Sequence, residues 1–237
     1  MNLIQKGHRH THRGIIGVES AIVLIAFVIV AAALAFVVLN MGFATTQKAK
    51  TTIISSLAES SSALEVSGKV TAVANVPKGL VNATAVPLKV TAGGSTINLD
   101  NSTVSVKYLS NNVEYDNILV ATMTGRTYGN LSQAFQDAED DIFQGIWQVN
   151  KNPVNGSDVP QPLQNTVAIL YWTVSAQTPP NSILEPGEHA VLGIGYAPND
   201  RPAGLDTIRA EVLLSSGATL TVERNIPNLT SEIIDLG

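Results

Sequence analysis

The chain has 237 residues, a formal net charge of −5, only 14% charged residues and no cysteine. That length holds one ordinary domain and an additional element, and the missing cysteine excludes a disulfide framework and thiolate metal sites. Of the four histidines only His189 lies beyond residue 12, so Ser-His-Asp, Cys-His and histidine-zinc catalysis lack their parts. Scattered Lys and Arg with few aromatics argue against nucleic acid.

Residues 1–14 carry Lys6, Arg9 and Arg13 and no acid, so their removal would take the net charge from −5 to −8. The alternating His8, His10 and His12 read as incidental polar sequence. Ile15 to Leu39 then runs 25 residues in which Glu19 is the only charge and Ser20 the only other polar side chain. This exceeds the roughly 20 residues needed to span hydrocarbon. It also exceeds the roughly 7–15 residue core of a secretory signal, although Gly42-Phe43-Ala44 would pass as a small-residue cut after it. The basic flank precedes the run, which predicts a cytoplasmic N-terminus and an exported body; Lys48 and Lys50 are a weaker opposing signal.

Beyond Gly42, a tolerated weak point and potential bend, the helical period continues through Ala49, Ile53, Leu57 and Leu64, with Gly68 as a C-terminal stop. The expectation is one helix from Ile15 to about Val66. Its second half carries a Ser/Thr face, so one side must lie against the rest of the chain or against other copies. The small residues Ala21, Ala26, Ala31, Ala32, Ala33 and Ala35 permit close helix approach among bulky Val, Ile, Leu and Phe. Such helices, related by an operation that does not close, build a filament.

From residue 68 onward the pattern is β. Runs at 69–76, 85–92, 102–110, 117–123, 166–176, 190–197, 207–215 and 218–226 are rich in Val, Ile, Thr and Tyr and are divided by Gly, Pro, Asn and Asp. Ser216-Gly217 and the 185–188 stretch EPGE read as hairpin turns. The whole predicts an antiparallel immunoglobulin-like sandwich. Within it, Leu131, Ala134, Phe135, Ala138 and Ile142 share one face of a short helix. The fold class is therefore α+β, a long apolar N-terminal helix followed by an all-β sandwich.

Arg13-Gly14 directly before the apolar run, with Gly17 and Glu19 just inside it, resembles the class III leader of prepilins in the form seen in archaeal flagellins, the archaellins. The stretch ESAIVLIAFVIVAAALAFVVLNMGFATTQKA, the Ser-rich helix after it, ALEVSGKVTAV and the closing TVERNIP are also similar to that family. The resemblance implies cleavage between Gly14 and Ile15, with Arg13, Gly14, Ile15 and Gly17 read by the leader peptidase. It divides the chain into a leader (1–14), a filament-core helix (15–67, apolar over 15–39) and an outer sandwich (68–237). It further implies a non-enzymatic subunit of the archaellum, a rotary swimming filament, with no cofactor and no metal.

The expected partners are copies of itself, the leader peptidase, an assembly ATPase and a membrane platform, with the membrane as host before assembly. Assembly would run through Glu19, Ile22, Leu24, Phe27, Ala31, Leu34, Phe36 and Leu39. An acid inside a membrane span is costly and commonly paired; cleavage would create an amine at Ile15 as its partner, on a neighbouring chain by resemblance to pilins. The helix macrodipole also favours an acid there. Two other readings compete: an archaeal adhesive pilin, and a membrane-anchored extracellular binding domain.

Five sequons, at Asn82, Asn101, Asn130, Asn155 and Asn228, are candidate N-glycosylation sites of an extracellular surface. The acids Asp137, Glu139, Asp140 and Asp141 read as a solvated helix face rather than a calcium loop. His189 reads as a surface or edge residue beside a turn.

Overall fold

The computed structural model describes residues 13–61, 63–141 and 165–237, which fall into two compact units dividing between Ser55 and Ser56. The first element, α1 (Arg13–Ser61), is an unbroken helix, which at 1.5 Å per residue is about 73 Å long. No proline interrupts it, and Gly42 does not break it. The helix stops earlier than its period predicts, because Leu64–Val66 forms a strand, β1, instead of a last helical turn. Leu64 fits the helical spacing from Leu57, but pairing with a long strand of the sandwich buries it at 5% exposure, and tertiary pairing overrides a weak local preference.

The remaining elements are β2 (Thr71–Asn75), a short 3-10 helix (Val76–Lys78), β3 (Leu80–Val90), β4 (Ile97–Asn98), β5 (Val104–Ser110), β6 (Glu114–Tyr115), β7 (Leu119–Thr127), α2 (Leu131–Asp141), β8 (Val167–Val174), β9 (Ile183–Leu184), β10 (His189–Gly195), β11 (Thr207–Leu214), β12 (Leu220–Asn225) and β13 (Ile233–Asp235). The larger sheet runs β13-β2-β3-β10-β8-β7, with β1 pairing the far end of β3. The second runs β12-β11-β5-β6, and β4 pairs β9.

One core unites Val86, Leu88, Leu170, Trp172, Leu192 and Ile194 of the larger sheet with Val106, Tyr108, Ala210, Val212 and Val222 of the smaller. The opposite face of the larger sheet builds a second core, in which Ala83, Val167, Ile169, Tyr171 and Val191 pack with Leu131, Ala134, Phe135 and Ala138 of α2. Strand side chains alternate between faces, so a strand buried on both sides has no polar register; Val167–Trp172 is accordingly apolar at six consecutive buried positions. Gly193 leaves room for α2, since a Cβ there would lie 2.5 Å from Leu131 Cδ1. The expected apolar helix face is thus the one that docks; Ile142 lies outside the described residues.

Two details correct the expected antiparallel sandwich. Strands β7 and β8 are parallel, and a parallel neighbour requires a crossover rather than a tight turn; the connection containing α2 supplies it. The EPGE stretch is a turn, closed by Glu188 N–H donating to Glu185 C=O at 3.0 Å with Gly187 at φ 97°. It is not a hairpin, because β9 pairs β4 while β10 pairs β3 and β8. The Ser216-Gly217 turn does join an antiparallel pair, β11 and β12.

Candidate assembly surface

Along α1 every described side chain from Gly17 to Leu57 is exposed. Ile22, Leu24, Phe27, Leu34, Phe36 and Leu39 are each more than 60% exposed, and Ala31 is exposed among them. Apolar residues point in all directions around the axis, and a helix apolar all round belongs inside a core or a membrane. Among the described residues nothing covers this surface.

Glu19 lies exposed at the start of this surface and shares a shallow depression with Ser20, Val23, Leu24 and Phe27. The spacing of four places Glu19, Val23 and Phe27 in one row, so the carboxylate begins an apolar ridge. Gly17 lies on the same helix with open space where a Cβ would be. Arg13, Gly14 and Ile15 belong to the helical backbone; the side chains of Arg13 and Ile15 lie outside the described residues.

The polar half of α1 prepares itself for burial. Thr45 Oγ1 donates to Met41 C=O and Thr46 Oγ1 to Gly42 C=O, each at 2.8 Å; Thr51 and Thr52 both donate to Lys48 C=O at 2.9 Å. Hydroxyls satisfied on their own helix need no water, so these four threonines can enter a bundle without orphaned hydroxyl donors.

The sequons separate by position. Asn82 is only 1% exposed, which corrects its reading as a surface site. It is the extra residue of a bulge where β3 shifts register against β2, and its carbonyl accepts the Tyr196 N–H at 3.0 Å. A three-residue motif cannot report a bulge set by strand pairing. Asn101, Asn130 and Asn228 are exposed. Asn101 Nδ2 donates to Val120 C=O at 3.2 Å, and Asn130 caps α2 through its oxygen, accepting the Gln133 N–H at 2.8 Å. Asn155 lies outside the described residues.

Of the acid group, Asp137 pairs with Arg126 at 3.0 Å, while the side chains of Glu139, Asp140 and Asp141 lie outside the described residues. No cluster of three or more His, Asp or Glu able to hold a metal occurs among the described residues.

Several polar residues of the sandwich escaped sequence reasoning. His189, the half-buried first residue of β10 beside the turn, has a partner the sequence could not name, its Nδ1 lying 2.9 Å from Ser67 Oγ. Glu188 is 2% exposed. Its Oε1 accepts the Ser175 hydroxyl and the Ala176 N–H, each at 2.8 Å, and its Oε2 accepts the Glu185 N–H at 2.9 Å. Burial alone pushes its pKa up, yet these donors together outweigh that and hold the carboxyl below its ordinary value. At the other end of β10, Thr84 Oγ1 meets Tyr196 Oη at 2.9 Å, and burial pushes the Tyr196 phenol up to about 12. These groups fasten the sandwich.

A long uncovered apolar helix joined to a sandwich that covers its own core has counterparts among known proteins. The archaeal-type flagellin family pattern matches residues 14–224. A probable flagellin 1 of Aeropyrum pernix is 37% identical over 220 residues, spanning 91% of this chain and 92% of the relative. The archaeal flagellum of Methanospirillum hungatei shares the fold with a TM-score of 0.56 at 21% identity, over 89% of this chain and 93% of the other. A flagellin of Methanocaldococcus jannaschii does so with a TM-score of 0.55 at 14% identity, over 74% and 96%. The helix, the sandwich behind it and the match across both establish that this chain belongs to the archaeal-type flagellin family.

Proposed function

We propose that this archaellin polymerises through α1 into the filament of an archaellum, the helices of many copies forming a dry core and the sandwiches the outer surface. The observation that carries this reading is the apolar surface of α1, exposed among the described residues at every position from Gly17 to Leu57. Lipid covers it before assembly and neighbouring copies cover it afterwards. The role is structural, and the setting is an extracellular swimming filament.

In this reading a leader peptidase recognises Arg13, Gly14 and Gly17 and cuts before Ile15, and an assembly ATPase with its membrane platform adds subunits. The precursor sits in the membrane with its N-terminus on the cytoplasmic side. Glu19 pairs with the new Ile15 amine of a neighbouring copy, which fixes the docking height of each arriving helix. Ile22, Leu24, Phe27, Ala31, Leu34, Phe36 and Leu39 supply the packing. Asn101, Asn130 and Asn228 are the described sequons accessible to glycans.

The test is imaging of the protein purified from cells, combined with N-terminal sequencing. The expected result is filaments whose subunits begin at Ile15; a mature chain starting at Met1 or Thr45 would contradict it. Glu19→Ala should leave export and cleavage intact while filament yield collapses. Normal filaments from that variant would leave the carboxylate only a local role at the helix end.

A further inference from the structure

Among the described side chains of α1 the charged ones are Glu19, Lys48 and Lys50. Every side chain between Ser20 and Asn40 is apolar. At 1.5 Å per residue those two positions stand about 30 Å apart, the thickness of a bilayer's hydrocarbon layer. Glu19 therefore falls at one boundary of that layer and Asn40 at the other.

Beyond Asn40 the helix changes character. From Thr45 to Thr52 it is polar at seven of eight positions, Ala49 being the exception, and all eight are exposed. At 3.6 residues per turn these side chains point to every side of the helix, with Lys48 and Lys50 about 160° apart. A helix that docks on one protein surface is apolar on one side and polar on the other. A belt that is polar all round, directly after the apolar side chains of Met41, Phe43 and Ala44, matches a flat polar layer that the helix passes through.

The distances fit that layer. Lys48 and Lys50 leave the backbone about 12 and 15 Å past Asn40, and headgroups occupy about 5–7 Å on each side of the hydrocarbon. Lysine can turn its ammonium back along an apolar stem about 6 Å long, and the usual tilt of about 20° shortens the gap. Both ammonium groups thus reach the level of the lipid phosphates. Thr45, Thr46, Thr51 and Thr52 already donate to their own helix, so the lysines are the belt's charged donors to an outside anion.

We propose that Lys48 and Lys50 form a collar that docks on the phosphate headgroups of the exported leaflet while the subunit waits in the membrane. The partner is an anionic lipid surface, because cations on opposite sides of one helix are met together by a surface that surrounds it. The inference rests on the membrane-inserted precursor of the proposed function. It adds a lipid contact that is released when the subunit joins the filament.

The test places the full chain, with isotope-labelled lysine nitrogen, in phosphatidylglycerol vesicles. Lys6 of the leader is replaced by glutamine throughout, so that it cannot contribute. Solid-state NMR should show the lysine ammonium signal weakened by lipid phosphorus. Lys48→Gln with Lys50→Gln should abolish the effect, and each alone should remove about half, since the two lie on opposite sides. Lys78→Gln, in the sandwich, should leave it unchanged. An absent effect, one that survives the double substitution, or one lost entirely with a single substitution would overturn the collar.

The same samples separate this failure from that of the reading beneath it. Contacts between the Phe27 ring and lipid acyl chains report insertion of α1; their absence would overturn insertion itself, and their presence without the phosphorus effect would overturn the collar alone. Vesicles of a digalactosyl lipid, which carries no phosphate, supply a second arm. There Lys48 and Lys50 should react several-fold faster with an uncharged acylating reagent, relative to Lys78, than in phosphatidylglycerol. Equal relative rates in the two lipids would remove the phosphate contact.

Discussion

The helix and the sandwich use the same apolar residues to opposite ends. In the sandwich Leu88, Leu170, Trp172 and Leu192 have no exposed surface at all, whereas Leu24, Leu34 and Leu39 of α1 are exposed by 61% or more. Burial of apolar surface drives both, but the sandwich completes its burial within one chain and the helix cannot. One region is therefore a folding unit and the other half of an interface. The contrast locates function better than any polar cluster does, since the part of the chain that cannot satisfy itself is the part that needs a partner.

That contrast can be broken from either side. The largest effect should come from Leu34→Asp. An acid at the centre of a membrane-inserted or bundled helix costs about 2.5–3.5 kcal/mol per subunit on insertion scales, and a filament repeats that cost in every copy. Filaments should vanish under the electron microscope while the sandwich keeps its melting temperature; surviving filaments would mean that α1 is not the polymer core. Next in size, Trp172→Ala should destabilise the sandwich by about 3–5 kcal/mol through the cavity it leaves, read by chemical unfolding. Helix-driven association should persist as long as the domain remains folded.

Smallest, Glu188→Gln should cost about 2 kcal/mol, because hydrogen bonds to a charged acceptor exceed those to a neutral one. It should also flatten the acid limb of the stability profile. The Glu188 carboxyl is held below its ordinary value of 4.5 when folded. Its stabilisation is therefore present above that pH and is lost as the pH falls through the folded value. A wild-type profile with no such acid limb, or a variant that retained it, would remove Glu188 from this role.

Much of this architecture was legible in the chain. Leu131, Ala134, Phe135 and Ala138 predicted the docked face of α2 because a helix repeats often enough to show its period. The eight longer β runs were visible for the same reason. Strands of two or three residues, such as β4, β6, β9 and β13, have no period to read, and β1 was absorbed into the helix because its three residues fit either pattern. The parallel β7–β8 pair is a matter of topology. Glu188 was invisible because its donors, Ser175 and Ala176, lie a whole strand earlier in the sequence, and Asn82 was misread because a bulge decides its burial. On α1 the uncovered surface itself was readable, since an apolar run of that length has nowhere inside a small domain to go.

The junction behind the helix bears on what a filament under tension demands of each subunit. Any pull along the chain reaches the sandwich at Ala63, whose carbonyl accepts the Thr91 N–H at 3.0 Å. It then meets the β1–β3 ladder, and at Val70 a pair of bonds to Leu236 and Gly237 beside β13. Strand β2 lies between β3 and β13, so neither edge of the first full strand is left free. Traction is thus spread across several hydrogen bonds before it reaches the core.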